Sequence, residues 1–351
     1  MTTSAIPGDL RALVSAYESA PKEFHTTAYW ERYSKEILDT IATMDLQDIH
    51  SGKYPILATM SFGDVAYYYH PHLAWWKNAA LKAIQGYLVK NRRILPYDLR
   101  ISDIGEMAYR HCELLEQVTG AKPIGSIEMT TFGNPADRVI VDGRTYSINF
   151  LSYYVRYCFA HQHIRFTGDE IFVELGSGSG RQIELLKKLY PRMTVLCFDL
   201  PAQLYLCQRY LTEALGKGAV IGSDVTLSWS DLSQLEKGKV HCFGNWQMPM
   251  IAALDFDVFW NAASFGEMEP GVVERYLSYV RGHARWVYLM QARHGKETAG
   301  KIHVERQTAF DDYARFLTGY DVAGEQDAFD AHRRVGHTGG YFEAVWKRVN
   351  S

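Results

Sequence analysis

The chain has 351 residues, with 37 Lys and Arg against 40 Asp and Glu and a formal charge of -3. A hydrophobic fraction of 47% supports a large core, expected as two lobes, and excludes disorder as the default. The absence of a basic block argues against nucleic acid as the main partner, and no run is apolar and long enough to cross a membrane.

Residues 1–10 have no basic start and no apolar signal core, and the five cysteines are an odd number. A cytoplasmic protein without a disulfide framework is the expectation. No Cys or His cluster has zinc spacing, so no metal is expected.

Residues 1–165 read as a mainly helical N-terminal lobe. Ile37, Leu38, Ile41 and Met44 fit one helix, and Met107, Ala108, Leu114, Leu115 and Val118 fit another. Between them lie the aromatic clusters Tyr67, Tyr68, Tyr69 with His70 and His72, and Trp75 with Trp76. A short hairpin over 138–146 turns at Asp142-Gly143, a favoured two-residue turn. A helix over 149–163 then packs through Leu151, Tyr154, Val155 and Phe159.

Residues 166–351 alternate strand and helix, as a doubly wound sheet requires. The apolar run from Ile171 ends in Glu174-Leu175, followed by Gly176-Ser177-Gly178-Ser179-Gly180. A helix starts at Arg181 with Ile183, Leu185, Leu186 and Leu189 on its buried side. The next strand, 194–198, ends in Asp199, and Leu204, Cys207, Leu211 and Leu215 line the helix after it. Further strands are read at 240–243, closed by Gly244-Asn245-Trp246, at 256–261 and at 286–290. Segments 320–325 and 341–346 complete seven strands. No linker and no internal repeat separates the halves, so a shared interface is expected.

Strand, glycine turn, helix, strand and acidic residue form a nucleoside-binding βαβ unit, in which Asp199 accepts from ribose hydroxyls. A dinucleotide site wants Gly-x-Gly-x-x-Gly, but the third glycine here comes one residue early. Glu174, two places before the first glycine, repels a diphosphate and suits an ammonium group. S-adenosylmethionine has a sulfonium, an amino group and a ribose, and no phosphate. The expected cofactor contacts are Glu174, Gly176, Ser177, Gly178, Gly180, Asp199 and Leu200. Asn245, Trp246 and Asn261 join them, because ligands of open α/β sheets bind beyond the carboxyl ends of the strands. Arg156 and Tyr153 are placed by position alone to meet the cofactor carboxylate.

These two motifs resemble those of class I S-adenosylmethionine-dependent methyltransferases. The resemblance implies a Rossmann-like seven-stranded sheet closed by an antiparallel pair. It also implies that the helical lobe supplies a lid, an acceptor pocket or a homodimer contact. Residues 261–268, Phe198-Asp199-Leu200-Pro201 and the segment 142–154 further resemble the bacterial sugar O-methyltransferase family, over about residues 125–350. A small-molecule acceptor is implied, with a sugar hydroxyl as its methylated group.

A hydroxyl acceptor needs a general base, because its own pKa is far above neutral. Glu267 and His294, after the fourth and fifth strands, are the candidates. Glu267 also reads as a helix N-terminal carboxylate, and His294 as an exposed loop residue. An amine or guanidinium acceptor, as in an amino acid such as arginine, is the alternative. It would use Glu267, Trp260 and the Tyr67 to Tyr69 cluster. A fold that binds cofactor without catalysis is the third reading, and the intact Glu174, Gly176, Gly178 and Asp199 argue against it.

Overall fold

The computed structural model describes residues 6–26, 28–60, 76, 80, 97–295, 306–328 and 340–349. Tyr67, Tyr68, Tyr69, His70, His72 and Trp75 lie outside the described residues.

From the amino end, α1 (Gly8–Ser19), α2 (Ala28–Ile41) and α3 (Tyr97–Thr119) lead to a hairpin, β1 (Arg138–Val141) and β2 (Arg144–Ser147), and to α4 (Ile148–Ile164). The hairpin turns with φ 50° at Asp142 and 76° at Gly143, the left-handed pair that matches strand twist. Helix α3 forms where its periodicity predicts, but only part of the expected face is used. Ala108 is buried with Tyr109 and Cys112, whereas Met107, Leu114 and Val118 are exposed. Helix α4 starts under a Ser147 cap, whose Oγ accepts from Phe150 N at 3.0 Å. It is buried along nearly its whole length, so its tyrosine hydroxyls need partners. Tyr154 donates to the Lys122 carbonyl at 2.7 Å, and the Tyr157 and Tyr190 hydroxyls meet at 2.8 Å.

The rest of the chain builds β3 (Ile171–Leu175), α5 (Arg181–Leu189), β4 (Thr194–Asp199), α6 (Pro201–Leu215), β5 (Val220–Ile221) and α7 (Ser223–Thr226). Then come β6 (Val240–Gly244), β7 (Phe256–Ala262), α8 (Pro270–Val280), β8 (Ala284–Ala292), α9 (Phe310–Phe316), β9 (Tyr320–Asp327) and β10 (Tyr341–Arg348). The strands pair in the order β5-β6-β4-β3-β7-β8-β10-β9. Strands β3 to β8 run parallel, and β10 is antiparallel to both β8 and β9. The sheet has eight strands where seven were expected, because the two-residue β5 adds an edge beside β6. The other seven give the Rossmann-like, doubly wound fold of class I methyltransferases.

Strands β4 and β6 are buried at every position, as expected of parallel strands covered on both faces. One core cluster joins α1, α3 and α4 to the α5–α6 face of the sheet, and a second lies on the α8–α9 face. The two halves of the chain therefore share a core. Glu184 of α5 reinforces the junction, accepting from Thr130 N at 2.7 Å, from Lys188 Nζ at 2.7 Å and from the Tyr210 hydroxyl. In this order the chain leaves β3 to one side through β4 and β6, then returns to β7 on the other side. The carboxyl ends of β3 and β7 form the switch point where such sheets open a crevice.

Trp260 of β7 is fully buried, stacked on Tyr288 with ring centroids 3.6 Å apart and packed against Phe172. It is a core residue of the α4 side, on the same face as Val258, whereas Phe259 between them packs in the core of the opposite face. Trp260→Ala is expected to lower the unfolding free energy by about 3–5 kcal/mol, measured by chemical denaturation. A loss below about 1 kcal/mol would contradict this packing.

Candidate active site

The switch point is built from two turns. Strand β3 ends at Leu175, and the chain turns with φ 79° at Gly176, 51° at Gly178 and 76° at Gly180. At Gly176 a side chain is excluded on two counts, since a Cβ there would lie 2.5 Å from Ser264 Oγ. The turn is tied to the end of β4 through Asp199. Its Oδ2 accepts from Gly178 N and its Oδ1 from Leu200 N, each at 2.8 Å.

The second turn follows β7. Asn261 Nδ2 donates to the Leu175 carbonyl at 2.8 Å and to Ser264 Oγ at 2.6 Å. Its Oδ1 accepts from Gln291 Nε2 at 2.6 Å and from Phe265 N at 3.3 Å. Ala263 sits at φ 69° inside this knot, held by a 2.7 Å bond from its N–H to the Met290 carbonyl. A single 3-10 turn, Phe265–Glu267, then carries Glu267 over the crevice.

A strap from the N-terminal half closes the third side. Phe24 is buried against Tyr276, and its carbonyl accepts from Asn245 Nδ2 at 2.8 Å. The Glu23 carbonyl accepts from Arg275 at 3.0 Å, and Thr26 N donates to the Tyr17 hydroxyl at 2.6 Å. His25 stacks on Tyr17 at 4.8 Å. Just beyond, Trp30 Nε1 donates to Glu267 Oε2 at 3.0 Å. The three sides bound a cleft whose empty space, open solvent at its mouth included, is about 970 Å³.

Of the residues expected from sequence, Gly176, Gly178, Asp199, Leu200, Asn245 and Glu267 line this cleft. Ser177 and Gly180 do not; Gly180 caps α5 and packs close to Cys207 and Leu211. Glu174 is buried and off the lining, because it shares a face with Phe172 and Trp260 under α4 and α5. Arg156 acts on it electrostatically from α4, and Arg156 and Tyr153 also lie off the lining. Asn261 is fully buried and spends its amide on the two turns, so it positions the walls and touches no cleft space. Trp246 folds back over Gly244, where a Cβ would come within 2.3 Å of the ring, and packs on Tyr17. His294 is exposed in the turn after β8. That strand pairs with β10 as far as Ala292, which carries the turn past the cleft.

Glu23, Phe24, His25, Thr26, Trp30, Gln203 and Tyr276 line the cleft without having been singled out from sequence, and Ser264, marked there only within the segment 261–268, lines it too. The strap gives no local signal, since its bonds span 221 and 237 residues of chain.

Electrostatically the cleft is acidic. Burial is the main cause that pushes the Asp199 carboxyl up to about 7; its two backbone donors oppose the shift, and the Cys197 and Glu267 charges add to it. Burial likewise holds Glu174 well above the usual carboxylate range, with Cys197 and Asp199 adding and Arg156 opposing. Several buried polar atoms near the first turn have no partner among the described residues: Glu174 Oε2, Ser179 Oγ, both amide atoms of Gln182 and of Gln203, and Asn245 Oδ1. Orphaned buried polar atoms are costly, and of these residues Gln203 and Asn245 line the cleft, where a polar ligand could pair with them. Among the described residues no His, Cys, Asp or Glu group is arranged to hold a metal. No described helix is long and apolar enough to cross a membrane.

No protein-family model matches the chain, and no curated protein matches it significantly. Among solved structures it is similar to the pyocyanin biosynthetic protein PhzM, at 14% identity and TM-score 0.37 over 57% of this chain and 58% of that one. It is also similar to magnesium protoporphyrin IX methyltransferase of Synechocystis PCC 6803 with bound S-adenosylmethionine, at 13% identity and TM-score 0.35 over 55% and 76%. A third is the small RNA methyltransferase HEN1, at 15% identity and TM-score 0.39 over 56% and 25%. The chain thus spans little more than half of PhzM, and at these scores the overlays add nothing to what the strand order gives.

Because the Asp199 pKa is raised to about 7 in the folded state, the proton it binds stabilises the fold. That contribution is complete below about pH 4, the unfolded value, and is lost as pH rises through about 7. Denaturation of the wild type and Asp199→Ala from pH 4 to 8 should show the variant gaining relative stability by up to about 4 kcal/mol. A difference independent of pH would contradict the raised value.

Proposed function

We propose that the chain is an S-adenosylmethionine-dependent methyltransferase acting on a small polar acceptor, a hydroxyl of a sugar or sugar-derived metabolite in biosynthesis. The observation that carries this reading is the meeting of the glycine turn and the Asp199 carboxylate at the switch point, in an acidic cleft without Lys or Arg among its described lining residues. A phosphate-bearing nucleotide finds no cation there, whereas a sulfonium nucleoside suits the charge.

The residues present fit that cofactor. Asp199 would accept from the ribose hydroxyls, and Gly176 and Gly178 let the ligand approach the backbone. Leu200 and Gln203 offer an apolar wall and an unpartnered amide on the nucleoside side. Glu174 is buried off the lining under α4 and α5, so it backs the glycine turn and does not itself touch the cleft. When bound, the cofactor supplies a methyl group on a sulfonium, a good leaving group.

The protein's own tasks are alignment and proton removal. Glu267 faces the cleft at 8% exposure, with its carboxylate oriented by the Trp30 N–H. It would take the proton of the acceptor hydroxyl, the group to which the bound cofactor would supply its methyl. The strap and the knotted second turn hold Glu267 and the acceptor in line. His294 has no part in this scheme. The amine or guanidinium alternative loses Trp260 to the core and retains Glu267.

Calorimetry with S-adenosylhomocysteine should give a Kd of about 1–50 μM, in the usual range for enzyme ligands. Asp199→Ala should weaken it by about tenfold or more through two lost hydrogen bonds. No detectable binding would sink the cofactor reading.

Glu267→Gln keeps an acceptor for the Trp30 N–H but removes the base. Turnover with labelled cofactor should fall by about 10²–10⁴-fold, while S-adenosylhomocysteine affinity stays within about twofold. Full activity in this variant would remove Glu267 from catalysis.

A further inference from the structure

The strap that follows α1, residues 20–26, walls the cleft with Phe24 as its one buried residue. Glu23, Phe24, His25 and Thr26 all contribute to the lining. The strap is held to the sheet half of the chain through its backbone and one ring. The Phe24 carbonyl accepts from Asn245 Nδ2 at 2.8 Å and the Glu23 carbonyl from Arg275 at 3.0 Å, while the Phe24 ring packs on Tyr276. A segment with so little buried apolar surface opens at a lower cost than the two cores do.

Two side chains tie its closure to a ligand. Asn245 and Gln203 line the cleft at 4% and 3% exposure. Asn245 Oδ1 and both amide atoms of Gln203 are closed to solvent and have no partner among the described residues. The Asn245 amide cannot turn over to change this. A carbonyl only accepts, so the Phe24 oxygen requires Nδ2, which also donates to the Tyr276 hydroxyl and leaves Oδ1 as the unpaired atom. A polar atom closed off from water without a partner costs free energy, and a ligand donor that pairs with it removes that cost. An amide that accepts at its oxygen also donates more strongly from its nitrogen. The atom that meets the ligand and the atom that holds the strap are thus two ends of one amide.

Resting on the methyl-transfer reading, we propose that residues 20–26 form a latch on cofactor exchange. The strap opens to admit the nucleoside and closes on it, with a donor of the nucleoside on Asn245 Oδ1. Binding and closure then favour each other by the same factor. Cofactor dissociation waits for the strap to open.

The amides of Phe24, His25 and Thr26 are bonded to Pro21, Lys22 and Tyr17 in the closed strap, so their exchange reports its opening. Hydrogen exchange of the full chain, read by mass spectrometry, should slow over residues 20–26 by about fivefold or more when S-adenosylhomocysteine saturates the protein. Two substitutions loosen the strap from different points. Phe24→Ala removes the ring on Tyr276, and Arg275→Ala, at a residue off the cleft lining, releases the Glu23 carbonyl. Each should speed S-adenosylhomocysteine dissociation by at least about threefold without slowing association, a split that a general loss of structure would not produce. S-adenosylhomocysteine that binds without slowing exchange in the strap, or unchanged dissociation in either variant, would overturn the proposal. Binding to the wild type, measured in the same samples, separates the two readings. If it binds and the strap does not respond, only the latch fails; if it does not bind, the methyl-transfer reading fails and the latch with it.

Discussion

The site depends on one side-chain amide. Asn261 reaches from β7 to the last carbonyl of β3, to Ser264 Oγ in its own turn, and to Gln291 of β8. These bonds tie three adjacent parallel strands together where the sheet changes direction. They also allow Ala263 its left-handed backbone and place Ser264 against Gly176. Such a conformation costs energy for a residue with a Cβ and persists only when its surroundings hold it. The knot thereby fixes the distance between the glycine turn and Glu267, the two walls to which the proposal gives the nucleoside and the acceptor.

The motif around Asp199 was legible because its logic is local. A strand, three glycines, a helix and a second strand leave little freedom in where Asp199 ends up. The parallel strands were legible for a similar reason, since burial on both faces writes continuous apolar runs into the sequence. Side-chain direction was harder. Glu174 and Trp260 sit at adjacent register positions on one face of the sheet, and the period of a fully buried strand does not say which face that is. Trp246 was misplaced because a glycine two residues before it lets the indole fold back. His294 was misplaced because β8 extends two residues further than its apolar run suggests.

The strap was invisible for a different reason. Phe24 and Trp30 belong to a stretch with no motif, and their partners, Asn245 and Tyr276 for Phe24 and Glu267 for Trp30, lie more than 200 residues away in sequence. Nothing in local propensity reports such contacts. The chain closes its cleft with its own amino-terminal segment, and the shared core between the halves keeps that segment in place. The proposed division of labour follows: the sheet holds the nucleoside, the second turn supplies the base, and the strap completes the acceptor side.

The central claim is that a sulfonium nucleoside binds at the switch point with Asp199 on its ribose. A crystal structure of the chain with S-adenosylhomocysteine tests it most directly. The account predicts the ribose hydroxyls on the Asp199 carboxylate, the ligand backed by Gly176 and Gly178, and the thioether sulfur directed toward the Glu267 wall. Density for the ligand elsewhere, or in the cleft without contact to Asp199, would contradict it.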